Sequence, residues 1–200
     1  MGSMTATEER PSLPAGPLSV ADLEAFPDDG HRYELLDGVL VVTPAPGFSH
    51  QMVVGQLFRR LDEAAPAELA VLPAPFAVHP EAADGRPESE QSTELQPDVL
   101  VAALASFTPK DLPGAPVLAV EVLSPSTQLF DRNLKKAAYE RMGARHFWLI
   151  DPWVPELHAY ALDPGGAYRL VAHVVGDDVF TAEDPFPLEV RPSELLRRRA

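Results

Sequence analysis

Glu121 stands alone in "VLAVEVL" (117–123), where every other side chain is apolar. Such a run reads as a strand covered on both faces. An unpaired carboxylate in that setting carries a heavy desolvation cost or takes up a proton. A second acid offers it company. Asp98 opens "PDVLVAAL" (97–104), another run of central-strand character, 23 residues earlier. Alternation places Asp98, Leu100 and Ala102 on one side of that strand and Val99 and Val101 on the other. If the two strands are neighbours, Asp98 and Glu121 converge. Two buried carboxylates repel each other, and a divalent cation removes the repulsion. Hard oxygen ligands with several retained waters are what Mg²⁺ prefers. The plainer reading of Glu121 is an edge position, or a pair with Arg or Lys.

The segment "FDRNLKKAAYERMG" (130–143) adds a third charged group. Its pattern predicts a helix closing on Gly143, with Asp131, Lys135 and Tyr139 on one face at i, i+4 and i+8. By itself, Lys135 reads as the i,i+4 partner of Asp131, worth a few tenths of a kcal/mol. The chemical reading turns Lys135 toward the carboxylates, with Lys136 off that face. Residues 131–145 contain Arg132, Lys135, Lys136, Arg141 and Arg145 against Asp131 and Glu140. That local positive surplus suits a phosphate, and Arg59 or Arg60 could hold flanking ones. A lysine beside two acids fits phosphate better than the carboxylate pair of a glycosidase, and no aromatic platform for a sugar is evident.

Composition narrows the classes. The chain has 200 residues, 46% hydrophobic, enough for one domain with a sizeable core. Its net charge of -14 argues against a protein that coats nucleic acid through a global basic field. With no cysteine, disulfides and thiolate metal sites are excluded. The six histidines show no pair at zinc-like spacing along the chain. No secretory h-region and no membrane-length apolar stretch is evident, so a cytoplasmic protein without a membrane partner is expected.

These groups need elements to place them. Residues 1–17 read as a disordered leader, with Met1–Ser3 as a cloning remnant, and 18–200 as a single domain. "SVADLEAF" predicts a short helix capped by Ser19, with Asp22 three residues on. "RYELLDGVLVV" predicts a hairpin turning at Asp37-Gly38. "SHQMVVGQLFRRLDEAA" predicts a helix capped by Ser49. Strands are expected at "LAVL" and "PFAV", then a mobile acidic loop over 80–96. "HFWLID" reads as a buried strand with Phe147 and Trp148 in the core. "LHAYAL" and "YRLVAHVV" read as a C-terminal hairpin, and "PSELLRRR" as a terminal helix. Long helices mixed with hairpins and crossovers indicate an α+β fold. His50, at a helix start, reads as a solvated or capping residue.

"RYELLDGVLVVTPAPGFSHQ", "QPDVLVA", "AVEVLSPST", then Asp131, Lys135, Tyr139 and "GARHFWLIDP" resemble the Uma2 family of restriction-endonuclease-like proteins, within the PD-(D/E)xK nuclease superfamily. The resemblance runs from about Ser19 to Asp163. It implies a restriction-endonuclease-like core: a four-stranded mixed central sheet flanked by helices, with a Mg²⁺ site for which Mn²⁺ can substitute. Asp98 and Glu121 would be the metal ligands, Lys135 the catalytic lysine and Glu34 an accessory acid. On its own residues, Glu34 reads equally as an exposed position before a turn. The superfamily places a lysine two residues after the glutamate; here that position is Leu123, and Lys135 on the next helix matches the family's alternative. The implied activity is metal-dependent phosphodiester hydrolysis of nucleic acid, DNA first, with a homodimer compatible. The competing class is a catalytically degenerate fold that serves as a binding or assembly module, its acidic loop facing a protein partner.

Overall fold

A computed structural model describes residues 16–125 and 128–196. Most of the expected leader and the end of the expected terminal helix lie outside the described residues. The fold is α+β around a mixed sheet. After a 3-10 turn at Val20–Ala25 come β1 (Arg32–Leu36), β2 (Val39–Thr43), α1 (Phe48–Ala64), β3 (Leu69–Pro73) and β4 (Ala77–His79). Next come β5 (Val99–Ala103), β6 (Asp111–Pro113), β7 (Leu118–Val122), α2 (Gln128–Phe130), a π-turn at Asp131–Lys135 and α3 (Lys136–Met142). β8 (His146–Asp151), β9 (Glu156–Leu162), β10 (Tyr168–Val175), β11 (Phe180–Ala182) and β12 (Leu188–Val190) complete the strands, with Pro192–Leu196 a last 3-10 turn.

The central sheet has six strands in the order β10-β9-β8-β7-β5-β3. Among its described neighbouring pairs only β7 and β8 are parallel, joined by the helical crossover over α2 and α3. Four strands were implied; the expected C-terminal hairpin extends the sheet because β9 pairs along β8 from His146↔Ala161 to Asp151↔Glu156. β11 and β12 form a small sheet that the sequence did not signal, with Phe180 edge-on to Trp148 at 5.0 Å.

Alternation sorts the layers. Val99 and Val101 of β5, Val120 of β7, and Trp148 and Ile150 of β8 pack with Val53, Leu57 and Leu61 of α1. On the other face Ala119, Leu123, Phe147 and Leu149 pack with Ala138 and Tyr139 of α3. Glu121 has the same parity as Ala119 and Leu123, so it points toward α3. Val99 pairs with Val120 across antiparallel β5 and β7. One step further along this register, Asp98 faces Glu121. The expected convergence follows from strand pairing alone.

Several local expectations are met. Asp37 and Gly38 both have positive φ, 51° and 78°, as a type I′ turn requires. A side chain at Gly38 would come within 2.6 Å of Pro17 Cβ, so only glycine fits. Gly143 closes α3 in the left-handed conformation. Other expectations change. The helix after Pro17 is 3-10, with Asp22 Oδ2 accepting from Ser19 N. Gly47, not Ser49, precedes α1, because the turn begins at Phe48. The strand in "PFAV" starts two residues later, at Ala77.

The segment 80–96 is not a loose loop. It makes 3-10 turns at Pro80–Asp84 and Glu88–Glu90, and two backbone bridges, Leu35↔Glu94 and Val78↔Leu95. Its acids are used internally: Glu81 accepts from Ser92 N, Ser92 Oγ and Thr93 N. Buried His79 ties the segment to the fold, with Nε2 2.7 Å from Glu94 Oε2 and Nδ1 2.7 Å from Asp111 Oδ2. Burial alone would lower the His79 pKa, but the two carboxylates outweigh it and raise it above its ordinary value.

A folded pKa above the unfolded one gives stability that is present below the unfolded pKa and lost as pH rises through the folded one. His79→Gln should therefore cost about 1–3 kcal/mol near pH 5.5, and the gap to wild type should narrow near pH 9. Urea unfolding at the two pH values checks this; a gap independent of pH would rule out the ionised clamp.

Candidate active site

Four carboxylates meet between β1, β5, β7 and the π-turn: Glu34, Asp98, Glu121 and Asp131, all buried. Two fixed cations, Arg32 and Lys135, stand among them. By formal side-chain charge, four carboxylates stand against these two cations.

Asp98 sits one residue before β5, where the ladder to β7 ends. The N–H of Val122 donates to Asp98 Oδ2 at 2.8 Å. Arg32 Nη1 donates to Oδ1 at 3.0 Å, and His50 Nε2 lies 3.0 Å from Oδ2. Burial by itself would raise the Asp98 pKa; the His50 contact and the Arg32 charge overcome it and bring it down to about 2. Asp98 is thus held ionised, with partners on both of its oxygens.

Glu121 is the reverse case. Lys135 Nζ donates to its Oε1 at 3.1 Å and the Tyr139 hydroxyl donates to the same oxygen at 2.9 Å. Burial dominates nevertheless. Against the pull of Lys135, and aided by the charges of Asp98, Asp131 and Glu34, it pushes the Glu121 carboxyl well above the usual carboxylate range. A group in that state gains ionisation when a further cation arrives.

Lys135 is 1% exposed. Its Nζ lies 2.9 Å from Glu34 Oε2, 3.1 Å from Glu121 Oε1 and 4.0 Å from Asp131 Oδ1. Burial would lower its pKa, but Glu121 and Glu34 more than compensate and raise it, so the ammonium persists. Glu34 is not an exposed pre-turn residue: its Oε1 accepts from Gln96 N at 2.8 Å and its Oε2 anchors Lys135. Asp131, Lys135 and Tyr139 are all buried, as the stripe predicted. Lys136 points elsewhere, with Nζ 4.7 Å from the Tyr160 ring centroid.

A cleft of about 850 Å³ opens onto this cluster. Arg32, His50, Asp98, Glu121 and Asp131 line it, while Phe48 and Trp153 are exposed aromatic rings in its walls. Glu34 and Lys135 do not line it; they stand behind Glu121. Two further expectations are revised. His50 is not a solvated cap but a buried partner of Asp98, and its Nδ1 has no hydrogen-bond partner. The basic stretch 131–145 is not a free positive patch, because acids take up its arginines. Arg132 meets Asp151 and Glu156, Arg141 meets Asp37, and Arg145 meets Asp184. Arg59 and Arg60 likewise pair with Glu63 and Glu194. Arg32 was missed, although its signal was present: Arg32 and Glu34 are two apart on one strand and share a face.

The cluster separates two substitutions at its centre. Lys135→Met strands Glu34, Glu121 and Asp131 without their shared cation and should cost roughly 3–5 kcal/mol. Glu121→Gln should cost much less, since Lys135 keeps Glu34 and Asp131. Thermal melts in chelator compare them directly; equal losses would contradict this ordering.

Comparison with known proteins bears on the fold and the family. No curated protein matches the chain. The fold is similar to that in a crystal structure of a "putative nuclease belonging to DUF820" from Anabaena variabilis. The TM-score is 0.69 at 15% sequence identity, covering 90% of this chain and 98% of that one. The Uma2 family model, described as "Putative restriction endonuclease", matches residues 20–196. A match over nearly the whole chain means that this protein belongs to the Uma2 family.

Proposed function

We propose that the chain is a metal-dependent nuclease that hydrolyses phosphodiester bonds, with Asp98 and Glu121 as metal ligands. The observation that carries this reading is the pair of carboxylates facing each other across β5 and β7, at the buried end of a cleft, with negative charge in excess. The donors fit a hard divalent cation. All are carboxylate oxygens, Asp131 lines the same cleft, and Mg²⁺ favours such a set with waters completing its shell. When bound, the ion would polarise a phosphate oxygen and make a water molecule easier to deprotonate.

The chain's own residues supply the remainder. Arg32 and His50 hold Asp98 in one orientation, as partners behind a ligand commonly do. Tyr139 and Lys135 orient Glu121 through its Oε1, leaving its second oxygen for the cleft. Glu34 holds Lys135 against Glu121, so a fixed positive charge stands behind that carboxylate, at the back of the cleft, without needing to move into place. That preorganised charge offsets the negative charge gained on the phosphate during attack. Nucleic acid is the substrate class that follows from the family, and DNA is the first to test. The arginines near the cleft are largely paired with acids, so phosphate contacts are few and binding should depend only modestly on salt.

Cleavage of single- and double-stranded DNA and RNA should require Mg²⁺ or Mn²⁺ and should be lost in Asp98→Ala. Activity that survives chelator would refute the metal mechanism. A fold that binds nucleic acid in an Asp98-independent way and cuts none of these substrates would instead be the non-catalytic module.

Lys135→Ala should lower the rate by about 10²-fold or more, measured below its own melting temperature. Lys136→Ala should leave the rate near wild type, because its ammonium sits over Tyr160. Equal losses in the two variants would remove Lys135 from the mechanism.

A further inference from the structure

A second group of potential ligands lies outside the cleft, where β9 and β10 pair. His158 and His173 face each other across the two strands. Their rings stack at 4.0 Å between centroids and 14° between planes. Glu156, two residues before His158, shares its face of β9 and reaches both rings. Glu156 Oε2 lies 3.0 Å from His173 Nε2, and Oε1 lies 3.8 Å from His158 Nδ1. One ligand atom from each of the three residues falls within 4.8 Å of the others.

We propose that Glu156, His158 and His173 form a binding site for a transition-metal ion of the zinc class. Three lines of geometry support it. Tetrahedral zinc with bonds near 2.1 Å needs ligands about 3.4 Å apart, so the two stacked rings must tilt until their nitrogens converge, a side-chain rotation that leaves the strands in place. Strand pairing fixes the two histidines opposite each other, so little order must be created on binding. The chemistry also differs from that of the cleft: two imidazoles and one carboxylate select zinc over magnesium, whereas carboxylates alone do the opposite. The site would not have been found from spacing along the chain, because its histidines lie 15 residues apart on two strands.

Glu156 also accepts from Arg132, whose Nη2 donates to Oε1 at 3.2 Å and to Asp151 Oδ2 at 3.4 Å. Arg132 is partly exposed and keeps Asp151 if Glu156 turns to an ion. It belongs to the π-turn that carries Asp131 and Lys135, so occupancy of the second site would be felt at the start of that turn. This inference does not rest on the nuclease reading.

Calorimetric titration of the full chain with ZnCl₂ tests it, using wild type, His173→Ala and Asp98→Ala. His173 is half-exposed, so its replacement should leave the fold intact; melts in chelator check this. Wild type and Asp98→Ala, both checked as folded by melts in chelator, should share a zinc site of the same affinity whose occupancy raises their melting temperatures, beside any ion that wild type takes in the cleft. His173→Ala should weaken that site by roughly tenfold or more and lose the thermal shift, and excess MgCl₂ should not displace the ion. Zinc binding that is unchanged in His173→Ala, that disappears in Asp98→Ala, or that is absent from wild type would each overturn the proposal.

Discussion

The ammonium of Lys135 holds together a group of acids that could not otherwise share one place. Glu34 comes from the N-terminal hairpin, Glu121 from the middle of the sheet and Asp131 from the crossover, and Lys135 lies within 4.0 Å of all three. Removing such charges from water is expensive, and their attraction repays the cost only when geometry is close and the remaining oxygens are satisfied. Gln96 N and the Tyr139 hydroxyl supply part of that satisfaction. The position of the hairpin over the sheet therefore depends on an electrostatic contact as well as on packing. An apolar core alone would not specify that placement.

The same arrangement divides the acids into two kinds. Asp98 is ionised by its neighbours and stays so, whereas burial and the other acids push the Glu121 carboxyl well above the usual carboxylate range. Two carboxylates side by side with opposite tendencies form a site whose charge adjusts to what enters the cleft. An acidic chain can hold such a site because, among the described residues, its external arginines are paired with acids, so little positive potential competes for the cluster. The cost is a weak pull on a polyanion. Exposed Phe48 and Trp153 beside the cleft give flat surfaces on which bases could rest.

Much of this was legible in the sequence, for identifiable reasons. Strand periodicity put Asp98 and Glu121 on matching faces, and a 3.6-residue repeat put Asp131, Lys135 and Tyr139 on one stripe. Asp37-Gly38 has a turn type few other pairs can adopt. What stayed hidden depends on contacts distant in sequence. The Arg32 and His50 partnership with Asp98 joins residues 66 and 48 positions apart. The order in 80–96 comes from acids consumed by nearby backbone N–H groups and by His79, which composition cannot distinguish from acids facing water. The basic stretch after Asp131 misled for the same reason: a count of charges along a chain says nothing of their partners across space.

The π-turn at Asp131–Lys135 is, in terms of chain length, one residue of surplus within the crossover. An α-helix would reach Lys136 in one residue fewer, and each residue turns the helix by about 100°. A single deletion here would return the wide turn to α-helical winding and leave the residues on either side in phase. Lys135 and Tyr139 would keep their places against Glu121, and the change would fall within the turn itself. The widened turn takes up the surplus residue between two rigid parts, and it makes this short stretch the point where insertions and deletions alter the site while sparing the fold.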